Sequence, residues 1–187
     1  LLRHRLDYVD VCEPDESLVK ACVKHFPHTA KSYSDSRVEL YNEPPSRFLA
    51  GRPETYDIVI MDIVNPDGPY SELFTEKGLS SVRKAIKTDG VMSVVAGSYP
   101  LTTEFTEEKC SFFRKNFVYH GYSCVQVPSM FCGYPVGFCI GSNAYDPKAP
   151  PRRPLASMAS KFRYYSRCIH KASFIMPATC TSLLDEE

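Results

Sequence analysis

The sequence lacks a net charge: 22 Lys+Arg stand against 22 Asp+Glu in 187 residues. Without a basic surplus there is no footprint for non-specific binding to nucleic acid or to an acidic membrane surface. Long apolar runs are missing too. The longest, such as Tyr56–Met61, fall far short of the roughly 20 residues that span a bilayer. Leu1-Leu2 runs at once into Arg3-His4-Arg5, which is no secretory signal. Neither a nucleic-acid nor a membrane partner is expected. Leu1 is not Met, so the sequence reads as a piece of a longer chain.

Several chemical signatures are also absent. There is no Gly-x-Gly-x-x-Gly, no phosphate-cradling glycine loop and no Gly-x-Ser-x-Gly. None of the 8 cysteines stand in a Cys-x-x-Cys pair, which removes the usual zinc or redox signature. Ser123-Cys124-Val125 and Phe138-Cys139-Ile140 place thiols among apolar neighbours, as expected of reduced cysteines in a cytoplasmic protein. The 5 histidines show no metal spacing. His25 and His28 flank Pro27 at a helix end, where a cation suits the dipole. No metal site is expected.

What is there is ordinary for a folded protein: 43% hydrophobic and 24% charged residues. This composition excludes a disordered tail, a coiled coil and a collagen-like repeat, and the length fits a single domain over residues 1–187. Residues 7–12 alternate and are β-branched, hence a strand. Glu13-Pro14-Asp15-Glu16 then opens a helix, with Leu18, Val19, Cys22, Val23 and Phe26 at helical spacing. Residues 37–41 read as a second strand. Tyr56–Met61 is continuous and apolar, as in a strand buried on both faces.

The turn-rich Asp62-Ile63-Val64-Asn65-Pro66-Asp67-Gly68-Pro69 follows. A helix is expected from near Thr75, with Leu79, Val82 and Ile86 on one face and Gly90 as its stop. Residues 91–95 form another buried strand, and 103–117 a helix carrying Phe105, Phe113 and Phe117. Strands at 122–127 and 136–141 pair as a hairpin around Cys132-Gly133, the proline-rich 146–154 is a surface linker, and the aromatic, basic 162–176 is helical in part. Strand–helix alternation closed by a hairpin is an α/β, doubly wound sheet. Ligands of such sheets sit beyond the carboxyl ends of the strands, here at the two acidic loops 13–16 and 62–69.

Glu13, between strand and helix, is placed to accept hydrogen bonds from both hydroxyls of a nucleoside ribose; equally, it is an acidic first turn that complements the helix dipole. Asp62 ends the most apolar strand and projects toward the cleft. Partial burial there would suit it to accept a proton, while an Asx turn opening the next loop is the plainer reading. Asn65-Pro66 with Pro69-Tyr70 is similar to the Asn-Pro-Pro-Tyr motif of amine methyltransferases, interrupted by Asp67-Gly68.

Four blocks together resemble the spermidine synthase family, the polyamine aminopropyltransferases. They are Val11-Cys12-Glu13-Pro14-Asp15-Glu16; Tyr56–Met61 with Asp62, Pro66, Gly68 and Pro69; Val127-Pro128-Ser129 with Gly133 and Val136-Gly137-Phe138; and Tyr164-Tyr165-Ser166 with Ile169-His170-Lys171-Ala172-Ser173-Phe174 and Pro177. They follow the family's order along nearly the whole chain. The last block counts against a methyltransferase.

The resemblance implies a Rossmann-like, methyltransferase-like, mostly parallel sheet ending in an antiparallel hairpin. It also implies transfer of an aminopropyl group from decarboxylated S-adenosylmethionine, a co-substrate, to a diamine such as putrescine, with no metal or redox cofactor, in a cytoplasmic homodimer. Asp62 would be the catalytic base. Glu13, Glu43, Asn65, Pro69, Phe131 and Tyr134 would line the substrates. The departures are specific. Asn65 replaces the second acid of the family's Asp-x-x-Asp-Pro-x-Gly-Pro signature, and Val95 stands where a Gln is common. Glu43 meets the adenine-contacting acid only across a gap, since Pro44 is the ungapped match. Met130 replaces a Tyr for which Phe131 or Tyr134 would substitute. The family's glycine-rich loop, the strand before it and its small N-terminal β-domain would precede Leu1. A catalytically weakened homologue acting as a partner or regulatory subunit is the alternative these departures keep open.

Overall fold

The computed structural model describes residues 1–63, 70–99, 101–125, 135–151 and 162–180. Asp15 caps the first helix with one carboxylate oxygen, which accepts the backbone N–H groups of Ser17 at 2.9 Å and Leu18 at 3.1 Å. Strand β1 (Val9–Cys12) leads into this helix, α1 (Glu16–His25), which Pro27 ends by opening the short α2 (Pro27–Ala30). β2 (Val38–Tyr41) and α3 (Pro45–Ala50) follow, then β3 (Tyr56–Met61), a 3-10 turn at Ser71–Phe74 and α4 (Glu76–Ala85). β4 (Ile86–Val95), α5 (Thr103–Asn116), β5 (Tyr119–Val125), β6 (Val136–Ser142) and α6 (Arg167–Ser173) complete the described elements.

The strands form two sheets rather than one. β1 pairs in parallel with β2, and a four-stranded sheet runs β3-β4-β6-β5, with β3 and β4 parallel and the hairpin strands antiparallel. Among the described residues β1 and β3 share no ladder. Side chains link them instead: the Tyr56 hydroxyl donates to Asp10 at 2.6 Å, and the Tyr8 hydroxyl makes a long contact of 3.5 Å with the Thr55 carbonyl. The doubly wound α/β expectation holds, with the hairpin register running from Tyr119 opposite Ser142 to Val125 opposite Val136. Its expected turn at Cys132-Gly133 lies outside the described residues.

The core lies on one face of the larger sheet. Leu79 and Val82 of α4 and Phe113 of α5 pack onto Met92 and Val94 of β4, Tyr122 of β5 and Cys139 of β6, all 2% exposed or less. The opposite face is covered at β5, where Ser123 donates to Ser173 of α6 at 3.0 Å and Phe174 lies against Gly121.

Three expectations are corrected. β3 is buried on one face only: Val59 and Met61 meet the core, whereas Ile58 and Ile60 are 53% and 48% exposed. The strand has a ladder partner on one side, and on its second face Phe48 of α3 stacks on Tyr56 alone while Ile58 and Ile60 stay open. α1 likewise buries only Val19, leaving Leu18, Val23 and Phe26 exposed. Gly90 does not stop α4. The helix ends at Ala85, and Gly90 lies inside β4, at a break in register where Tyr56 pairs with Ile86 and Ile58 with Val91. A Cβ on Gly90 would come within 2.9 Å of the Asp57 carbonyl oxygen, so the sheet needs glycine at that close approach.

Candidate active site

β1 and β3 run side by side in the same direction, since Tyr8 meets Thr55 before they begin and Glu13 meets Tyr70 after they end. Their carboxyl ends therefore open on a common edge, where the two acidic loops start.

Glu13 is fixed at every polar atom but one. Its N–H donates to the Tyr41 carbonyl at 3.0 Å, and its own carbonyl accepts from the Asn42 side-chain amide at 2.7 Å. Carboxylate oxygen Oε1 accepts the Asp15 N–H at 2.9 Å and the Tyr70 hydroxyl at 2.8 Å. Among the described residues Oε2 accepts nothing, so the carboxylate keeps free acceptor capacity. Asp15, not Glu13, caps the helix with its side chain.

Glu43 lies next to Cys12: its backbone carbonyl accepts the Cys12 thiol at 3.4 Å, and its carboxylate pairs with Arg47 at 3.4 Å. Burial pushes the Cys12 thiol up to about 11, with the charges of Glu43 and then Glu13 adding and Arg52 opposing. Burial likewise lifts the Tyr70 hydroxyl to about 12, helped by its bond to Glu13 and by that carboxylate's charge. Both groups remain protonated donors near neutral pH.

Asp62 follows the last residue of β3 and is exposed, not partly buried as expected. It stands at the carboxyl end of β3, beside the carboxyl end of β1 that Glu13 follows. Val95, in the place of the expected Gln, is only 5% exposed at the end of β4. Asn65, Pro69, Phe131 and Tyr134 lie outside the described residues. A groove of about 410 Å³ runs between α3 and α4, lined by Leu49, Pro53, Leu73, Lys77, Ser81 and Lys84 and by neither Glu13 nor Asp62. Among the described residues no three His, Cys, Asp or Glu side chains are grouped to hold a metal, and no helix is long and apolar enough to cross a membrane.

Two residues escaped the sequence reading. Tyr70 was visible only as part of a methyltransferase-like motif, although an aromatic hydroxyl directly after the signature loop is suited to reach across it. Lys109 sits four residues after Phe105 and four before Phe113, on the apolar stripe of α5, and that spacing is the signal that marks it.

A family model described as the spermine/spermidine synthase domain matches residues 1–149. A polyamine aminopropyltransferase of Streptococcus uberis is 32% identical over 185 residues, covering 96% of this chain and 64% of its own length. A spermidine synthase of Solanum lycopersicum is 32% identical over 193 residues, 96% of this chain and 55% of its own. The crystal structure of a spermidine synthase in complex with a transition-state analogue, AdoDATO, superposes with a TM-score of 0.87 at 21% identity, over 100% of this chain and 64% of that one, and has the same fold. The chain thus spans less than two thirds of the length of these proteins. The matches do not favour the methyltransferase reading of Asn65-Pro66 with Pro69-Tyr70.

Proposed function

The chain belongs to the spermine/spermidine synthase family, and on that premise we propose that its protein moves an aminopropyl group from decarboxylated S-adenosylmethionine to a diamine such as putrescine. The products are spermidine and methylthioadenosine. The observation that carries this reading is the placing of two carboxylates with different surroundings at the carboxyl ends of two strands that run side by side: Glu13, held by Tyr70 and Asp15 with one oxygen open, and Asp62, exposed at the end of β3.

The chemistry needs little more. A sulfonium is already a good leaving group, so the protein must position an amine and remove its proton. In this reading Glu13 accepts the ribose hydroxyls and sets the nucleoside against the strand ends. Asp62 takes a proton from the incoming ammonium. The freed nitrogen lone pair attacks the aminopropyl carbon bonded to sulfur, the carbon–sulfur bond breaks, and its electron pair returns to sulfur as a neutral thioether. No metal or redox cofactor enters these steps. Glu43, Asn65, Pro69, Phe131 and Tyr134 are assigned to substrate binding, and residues 1–187 to one catalytic-type domain with a proline-rich surface stretch at 146–154. A cytoplasmic location and a homodimer belong to the same proposal.

The test is to supply the full-length protein with decarboxylated S-adenosylmethionine and a panel of diamines and polyamines, and to quantify methylthioadenosine by chromatography. Amine-dependent release supports the assignment. Folded protein that releases none with any amine overturns it.

A further inference from the structure

The nucleoside-binding carboxylate does not orient itself. A glutamate has three rotatable side-chain bonds, and an exposed one samples many rotamers. Glu13 is instead tied at a single oxygen by two donors, the Asp15 N–H and the Tyr70 hydroxyl. The first comes from its own turn and would accompany the carboxylate wherever the turn goes. Only the second comes from another part of the fold, 57 residues away in sequence.

Tyr70 is itself held from behind. It precedes the 3-10 turn Ser71–Phe74, and its carbonyl accepts the Leu73 N–H at 3.0 Å. Leu73 and Phe74 are 5% and 4% exposed, and the Phe74 carbonyl accepts a 2.6 Å hydrogen bond from the buried Lys109 of α5. The Tyr70 ring packs against the main core. A rigid chain of contacts thus runs from the core through Lys109, Phe74 and Tyr70 to Glu13.

We propose that Tyr70 is a positioning residue for nucleoside recognition: by occupying Oε1 of Glu13 it turns the carboxylate so that Oε2 stays open to the ribose hydroxyls. The proposal rests on the aminopropyl-transfer reading for the identity of the ligand. It differs from a packing role in a defined way, because it assigns the function to the hydroxyl and leaves the ring as support. A neutral phenol donating to a charged acceptor makes a stronger hydrogen bond than a neutral pair, and the raised titration point of Tyr70 keeps its proton in place at working pH. Pre-setting the acceptor lowers the ordering cost of binding and leaves the reacting atoms untouched. The effect should therefore fall on KM and not on kcat.

The experiment compares the full-length parent with Tyr70→Phe, Glu13→Gln and the double variant. Affinity for methylthioadenosine is read by calorimetry, kcat and KM for decarboxylated S-adenosylmethionine by assay, and folding by thermal melting. Tyr70→Phe is expected to weaken nucleoside binding and raise KM on the order of tenfold, with kcat within about twofold. The same change made on top of Glu13→Gln should cost much less, since the charged acceptor is already gone. Parent-like affinity in Tyr70→Phe, beside weakened Glu13→Gln, overturns this proposal and leaves the site assignment standing. An equal penalty in both backgrounds, or a large drop in melting temperature, assigns Tyr70 to packing and also overturns it. Should the parent bind no nucleoside, or Glu13→Gln bind it as well as the parent does, the site assignment fails and this proposal falls with it.

Discussion

Lys109 donates its ammonium to the Phe74 carbonyl across 2.6 Å, inside the core, with only 2% of the lysine and 4% of the phenylalanine exposed. The Phe105 ring lies 4.7 Å from the nitrogen and Glu108 meets it at 3.2 Å from the rim. A buried ammonium is costly unless it is bonded, and here the bond also caps the turn that presents Tyr70. Lys109→Met keeps most of the stem and removes the donor, leaving the Phe74 carbonyl unpaired. The expected loss is about 1–3 kcal/mol, or roughly 2–4 °C of melting temperature per kcal/mol for a domain of this size. Thermal unfolding of the variant measures it; an unchanged melting temperature would mean that the carbonyl finds another partner.

Asp62→Asn should cost turnover without costing stability. Loss of a general base typically lowers the rate by about 10²–10⁴. Because Asp62 is exposed, the fold should change by less than about 0.5 kcal/mol. Steady-state kinetics and thermal melting on the same preparation separate the two effects. Activity within a fewfold of the parent would return Asp62 to a turn-forming role.

Asn65→Asp should sharpen diamine binding. An amide accepts a hydrogen bond but carries no charge, whereas a second carboxylate adds Coulombic attraction for a doubly charged amine. The Michaelis constant for putrescine is expected to fall in the variant. If it stays the same or rises, Asn65 does not select the amine.

The alternation of β1, the acidic helix start at 13–16 and the hairpin strands were legible because local propensity and tertiary context agree there. The strand-end positions of Glu13 and Asp62 were legible for a related reason: a residue at a strand's end is positioned by the strand itself. The failures share one physical cause. Leu18, Val23, Ile58 and Ile60 read as buried because apolar periodicity reports which residues need cover, not whether the described chain supplies it. Gly90 read as a helix stop, yet its requirement comes from the Asp57 carbonyl, a neighbour 33 positions back that no local pattern reveals. Tyr70 and Lys109 act on groups 57 and 35 positions away, and such contacts also leave no periodic trace.

Cys12 should be a slow nucleophile. Burial and two nearby carboxylates lift its titration from 9.0 to about 11, so at pH 8 only about one molecule in a thousand carries the thiolate that reacts. Between pH 9 and 11 the folded state holds a proton that the unfolded chain has released. This group's contribution to stability is therefore complete below about pH 9 and is lost as pH rises through about 11. Alkylation with iodoacetamide, followed site by site by mass spectrometry, should show Cys12 lagging the exposed Cys168 at pH 8 and catching up only in strong base. Equal rates at pH 8 would contradict the half-buried, acid-flanked environment.

Residues 1–187 taken alone should fold poorly and transfer little. Among the described residues β1 and β3 run side by side without a shared ladder, and each has an edge that no described strand pairs. A single interposed strand would satisfy both edges, because neighbouring strands lie about 4.8 Å apart and Tyr56 already reaches Asp10 across the gap. The exposed Ile58 and Ile60, with Leu18 and Val23 of α1, leave apolar surface uncovered beside those edges. Water can solvate the edges, but then side-chain contacts alone, the Tyr56–Asp10 and Tyr70–Glu13 bonds and Phe48 against Tyr56, must hold the two sheets in register, and a nucleoside held by Glu13 on one sheet would shift against Asp62 on the other. Expressed alone, the 187 residues should bind a hydrophobic dye, melt over a broad range and self-associate on size-exclusion chromatography, with aminopropyl transfer far below that of the full-length protein. A monomer with a sharp transition and full turnover would refute this, and would require that the Tyr56–Asp10 and Tyr70–Glu13 bonds suffice to hold the two sheets together.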